Sequence, residues 1–212
     1  MYCIIMAGGS GTRFWPASRR RMPKQFLNIT GRAPMVVETC RRLRPLSRDD
    51  ELILVIAGEH LEETRRLFEG RKVHVLAEPT GRNTAPCIGL GAIYAAHLGV
   101  GEPLAFLPAD HFIADEPAFL EALRRASDLA RTGALVTLGI VPTRPETGYG
   151  YIRRAKGDSG VPGGAAYPVS AFVEKPDLEK AKQYLARGDY YWNAGIFVAT
   201  AETILREMEL HL

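Results

Sequence analysis

Ala7 to Arg19 reads AGGSGTRFWPASR, and this turn, together with the apolar run before it, decides the fold. Tyr2 to Met6 (YCIIM) has the pattern of a buried strand that stops at a glycine loop. Gly8, Gly9 and Gly11 let the backbone bend tightly and let a ligand come close. Successive N–H groups in such a turn form a nest for an anion. Arg13 adds a planar fork of donors suited to phosphate oxygens. The turn is not a P-loop, because no Gly-Lys-Ser/Thr follows, and it is not a dinucleotide fingerprint, because Phe14 stands where the third glycine belongs.

Outward from this turn, strands and helices alternate. Pro34 opens a helix through Leu43, since proline suits the first helical turn. Glu51 to Ala57 (ELILVIA) reads as a second buried strand, Glu59 to Phe68 as an amphipathic helix, and Val73 to Ala77 as a third strand. Asn83 or Thr84 is expected to cap the next helix, which runs to Leu98. That helix is apolar on nearly all sides and is expected to be well buried. Leu104 to Leu107 is a fourth strand, ending at Pro108-Ala109-Asp110. A helix from Pro117 follows, then strands at Ala134 to Val141, Tyr149 to Arg154 and Val169 to Glu174. Gly157 to Gly164 (GDSGVPGG) reads as an exposed hairpin loop. A helix capped by Asp177 runs to Ala186, and a last strand, Ile196 to Ala199, precedes a C-terminal helix. The alternation implies an α/β fold: a mostly parallel, mixed sheet with helices on both faces and an antiparallel extension. One domain over residues 1–212 is expected. In open sheets of this kind ligands bind at the carboxyl ends of strands. The Gly8 turn, Glu78 and Asp110 each follow a strand and are expected to converge on one edge.

The bulk numbers exclude several classes. A net charge of +3 is too small to argue for nucleic acid, although Arg13, Arg19, Arg20, Arg21 and Lys24 bunch near the start. No stretch reaches the roughly 18 apolar residues of a membrane helix. The N-terminus enters a strand directly and does not read as a signal peptide. Cys3, Cys40 and Cys87 are odd in number and widely spaced, fitting neither a disulfide framework nor a zinc site. Each is expected to be a small buried residue in a reducing, cytoplasmic setting. Monomer and homo-oligomer both stay open.

The strand followed by G-G-S-G-T-R-F-W-P-A-S-R at residues 8–19, with Pro23-Lys24-Gln25-Phe26 soon after, resembles the signature of sugar-nucleotide pyrophosphorylases, and its fuller form the GDP-mannose branch. The resemblance implies a Rossmann-like, three-layer nucleotidyltransferase fold. It also implies that Ala7, Gly8, Gly9, Ser10, Gly11 and Thr12 hold a triphosphate with Arg13, and that Lys24 contacts the phosphates at the reaction centre. Phe14 and Trp15 read as packing residues that anchor the loop.

Further segments follow in the same family order, from about residue 4 to residue 198. Glu78 to Gly89 (EPTGRNTAPCIG) is a turn into a helix N-terminus, which suits an anionic or polar ligand. It resembles the family segment beside the guanine and phosphates, with Glu78, Arg82 and Asn83 as candidates; the local alternative is that Asn83 caps the helix while Arg82 pairs with Glu78. Leu107 to Ile113 (LPADHFI) puts a carboxylate at a strand end, where Mg²⁺ can be held with waters and phosphates. The family resemblance assigns the metal to Asp110; His111 reads as structural. Arg144 to Tyr151 (RPETGYGY), Val173 to Pro176 (VEKP) and Trp192 to Phe197 (WNAGIF) resemble the sugar side. There Tyr149, Gly150, Glu174 and Asn193 are expected around a hexose and Lys175 on its phosphate.

The implied reaction joins GTP to mannose 1-phosphate, releasing pyrophosphate, with Mg²⁺ as cofactor. Rivals are a pyrophosphorylase using UTP or dTTP, and a catalytically weak nucleotide-sugar-binding subunit. Family members continue past the WNAGIF segment with a second acidic metal ligand and a C-terminal region. This chain stops at Leu212, so a truncated domain is expected in which Asp110 lacks its usual partner.

Overall fold

A computed structural model of the chain describes residues 1–9, 17–19, 23–29, 32–81, 83–157 and 166–211. The chain divides into two compact units, Met1–Val136 with Phe197–Leu212, and Thr137–Ile196.

The larger unit is built on four parallel strands: β1 (Cys3–Ala7), β2 (Leu52–Ala57), β3 (His74–Glu78) and β4 (Leu104–Pro108), in the order β3-β2-β1-β4. Phe197 to Ala199 add antiparallel to β4, pairing Ala199 with Leu104, so the sheet is mixed but mostly parallel. Leu52 to Ile56 are wholly buried. That is what a continuous apolar run becomes when both faces of a parallel strand are covered. Helices α1 (Met35–Leu43), α2 (Leu61–Leu67), α3 (Thr84–His97), α4 (Glu116–Ala130) and α6 (Ala201–His211) belong to this unit; α5 (Leu178–Arg187) lies in the other. Ile4, Ile53, Val55 and Phe106 pack against Cys87, Ala92 and Ala95 of α3 and Ala201 and Ile204 of α6. Cys3 and Ile5 of the alternate positions are also fully buried. Cys3, Cys40 and Cys87 are free and buried, and burial pushes each thiol up to about 12.

Two helix expectations need correction. Helix α3 is buried on one face only: Ile93 is 58% exposed, and Thr84, Ala85 and Pro86 of the first turn are exposed. Asn83 occupies the position before α3 but makes no capping hydrogen bond with its side chain. Its φ of 66° with ψ of −168° is a conformation nearly reserved for glycine, so the turn and not a cap dictates this residue. Asp115 and Asp177, by contrast, accept from the Ala118 and Lys180 amides and cap α4 and α5.

The smaller unit is antiparallel. Strand β6 (Gly150–Arg154) pairs with β7 (Val169–Glu174) and with β8 (Tyr190–Ala199), which also pairs with β5 (Val136–Ile140). Strand β8 starts six residues earlier than its apolar tail, Ile196 to Ala199, suggests. Tyr190, Trp192, Ala194 and Ile196 alternate inward, the period of two that marks a strand. Among the described residues no helix is long and apolar enough to cross a membrane.

Candidate functional site

Register brings the predicted strand ends together in the larger unit. Ala7 lies opposite Ile56, Ala57 opposite Glu78, and Met6 opposite Pro108. The ladder runs one step further, Ala109 N donating to Met6 O at 3.1 Å, so Asp110 emerges beside the start of the glycine turn. Thr39 on α1 donates its hydroxyl to Ala109 O at 3.0 Å and fixes the backbone just before that carboxylate.

Lys24 closes the group. Pro23 leads into a short 3₁₀ turn, Lys24–Phe26, and Lys24 Nζ pairs with the Asp110 carboxylate. Both side chains are largely but not wholly covered, 25% and 16% exposed. Burial pushes the pKa of His111, next in sequence, down and so disfavours its charged form.

Glu78 reaches the same edge from β3. Its carboxyl is buried, and burial raises its pKa. A Cβ added at Gly8 would run into this carboxylate, which would have to move aside. Gly8→Ala is expected to cost about 1–3 kcal/mol of stability. The loss should shrink when Glu78 is also alanine; equal costs in a urea-melt double-mutant cycle would remove Glu78 as the obstacle. Ser10, Gly11, Thr12 and Arg13 of the turn, and Arg82, lie outside the described residues, as do Phe14, Trp15, Arg20 and Arg21.

The smaller unit gathers its own candidates from three strands. A Cβ at Gly150 would stand 2.8 Å from Glu174 Oε2 and 3.6 Å from Asn193 Cβ. The Tyr149 ring meets Trp192 edge-on, with centroids 5.3 Å apart. Asn193 Oδ1 accepts from Gly195 N at 2.9 Å and lies 3.4 Å from the Thr137 hydroxyl, so these contacts hold the oxygen end of the amide. Lys175 N donates to Tyr149 O at 3.2 Å, and its ammonium lies 2.7 Å from Glu174 Oε1. Lys175 has φ 45°, and it and Asn83 are the non-glycine residues of positive φ among those described. Such strain costs about 1–3 kcal/mol each and clusters where function demands it.

Among the described residues no three His, Cys, Asp or Glu side chains group to hold a metal. Asp110 alone suits a hard cation that takes one or two carboxylates and completes its shell with water and phosphate oxygens. The donor set thus fits Mg²⁺ that arrives with a nucleotide.

The end of β1 at Gly8, a cation and a carboxylate thus lie together at the carboxyl edge of a parallel α/β sheet, the place where sheets of this kind bind ligands. The chain belongs to the nucleotidyl transferase family, whose model it matches over residues 2–211. It is 45% identical over 217 residues to a mannose-1-phosphate guanylyltransferase of Escherichia coli K12, a match spanning 99% of this chain and 45% of that protein. It is 42% identical over 214 residues to the alginate biosynthesis protein AlgA of Pseudomonas aeruginosa, spanning 100% of this chain and 44% of that one. Among solved structures it is similar, with a TM-score of 0.90 and 37% identity, to a Thermus thermophilus protein described as a mannose-1-phosphate geranyltransferase, covering 100% of this chain and 60% of that chain. The chain thus spans less than half the length of the curated relatives it matches.

Proposed function

We propose that the chain carries the site that transfers GMP from GTP to mannose 1-phosphate, giving GDP-mannose and pyrophosphate. The observation that carries the reading is the Lys24–Asp110 pair beside the Gly8 turn. In this reading Lys24 supplies the cation, Asp110 the metal-holding carboxylate, and the glycine turn the N–H groups for the triphosphate. The choice of guanine and mannose rests on the names of the relatives at 42–45% identity.

In this reading an oxygen of the sugar phosphate attacks the α-phosphorus of GTP. A new P–O bond forms there, and the bond from the α-phosphorus to the bridging oxygen breaks. Pyrophosphate leaves with the electron pair. The attacking group is already an anion, so no strong base is needed, and catalysis is positioning and charge neutralisation. Mg²⁺ held by Asp110 would neutralise phosphate charge. Lys24 shifts from Asp110 toward the phosphates, Arg13 clasps the triphosphate, and Glu78 and Asn83 face the base. Tyr149 walls the hexose, Glu174 and Asn193 bond its hydroxyls, and Lys175 meets its phosphate. The three buried thiols suit a cytoplasmic setting.

The test is pyrophosphate release with mannose 1-phosphate and Mg²⁺, comparing GTP, UTP and dTTP, beside a calorimetric GTP titration. Turnover fastest with GTP supports the reading. A faster rate with UTP or dTTP moves the chain to another base, and tight GTP binding without release overturns the transferase. On the sugar side, Gly150→Ala pushes a methyl at Glu174 and Asn193. It is expected to raise the KM for mannose 1-phosphate about tenfold, the scale of misplacing a positioning group, with the KM for GTP unchanged. Equal rises in both would contradict the placement.

A further inference from the structure

Gln25 is 2% exposed, yet its side chain is neither packed as an apolar residue nor part of the chemistry described above. Its Nε2 donates to two backbone carbonyls, Ala7 O at 2.7 Å and Gly9 O at 3.0 Å. These flank Gly8, where β1 ends and the sheet ladder gives way to the turn. A carbonyl buried there without a donor costs about 1–3 kcal/mol. A primary amide carries two N–H groups on one nitrogen and no charge, so one side chain satisfies both carbonyls.

The consequence reaches the N–H side of the turn. In a planar trans peptide, C=O and N–H point opposite ways. Pinning Ala7 O on Gln25 therefore fixes the N–H of Gly8 to point away from it, and the same amide nitrogen holds Gly9 O on the far side of Gly8. Gln25 sits beside Lys24 in the same 3₁₀ turn, and Lys24 engages Asp110. One three-residue element thus holds both the cation and the backbone from Ala7 to Gly9.

We propose that Gln25 is a positioning residue of the nucleotide site, preorganising the Gly8 turn for a triphosphate. This rests on the nucleotide reading given above. Gln25→Met keeps the length and removes both donors. It is expected to raise the Kd and KM for GTP by about tenfold to a hundredfold, the scale of two net hydrogen bonds, with the KM for mannose 1-phosphate unchanged. Gln25→Glu keeps the shape and, when protonated, one donor. It is expected to bind GTP weakly at pH 8 and to regain affinity toward pH 6, beyond any change in the unaltered chain. It also serves as the test if the methionine variant does not fold.

A folded variant of either kind that binds GTP within twofold of the unaltered chain at pH 8 overturns the proposal. So does a parallel loss for both substrates, which marks a merely structural role. If the unaltered chain itself binds no GTP in the same titration, it is the nucleotide reading that falls.

Discussion

Lys24→Ala is expected to keep its fold and to lower turnover by about 10²- to 10³-fold, the scale of losing one preorganised electrostatic group. Lys24 and Asp110 are each partly exposed, 25% and 16%, so water reaches the carboxylate left behind. The stability loss should be near the roughly 0–1 kcal/mol of a solvent-accessible ion pair. In the proposed reaction two polyanions must meet and Lys24 would neutralise charge that grows as pyrophosphate departs, so a large kinetic loss is expected. Steady-state pyrophosphate release and thermal melts on the same preparation separate the two effects. Turnover within threefold of the unaltered chain would remove Lys24 from the reaction centre.

Asp110→Asn has the second large expected effect. The amide keeps the size and one oxygen but loses the charge that both Lys24 and a divalent cation require. Turnover is expected to fall by about 10²-fold or more, and the Mg²⁺ concentration for half-maximal rate to rise. Lys24 is then left without its partner in the free protein. GTP binding without metal should therefore hold or tighten, since the ammonium is released to the phosphates. A variant with unchanged Mg²⁺ dependence would show that the cation, if used, sits elsewhere.

Much of the sheet was legible because its strands are short apolar runs closed by glycine or proline. LILVIA has no polar residue to turn toward water and is buried up to Ile56, and the run ending at Ala7 meets glycines at once. The convergence of the Gly8 turn, Glu78 and Asp110 in the larger unit follows from parallel register, which carries every carboxyl end to one edge. Other features left no periodic trace. A three-residue turn such as Lys24–Phe26 has no period to read, and the bonds from Gln25 span 16 and 18 residues of sequence. The polar Asn193 and flexible Gly195 hid the first six residues of β8, although Tyr190, Trp192 and Ala194 alternate within them. Asn83 illustrates a limit of residue type. Asparagine before a helix favours capping, but here the backbone conformation leaves the amide out of that role. The meeting of Gly150, Glu174 and Asn193 depends on three antiparallel strands finding each other, which spacing along the chain does not encode.

The buried thiols have a practical corollary. Cys3 lies on β1, Cys40 on α1 and Cys87 on α3, and with pKa values pushed up to about 12 almost none is thiolate near neutrality. An alkylating reagent can reach them only after the larger unit opens. Their modification rate is thus a built-in clock for breathing of the sheet, readable by mass spectrometry without engineering any label, and a bound nucleotide that clamps β1 would slow it.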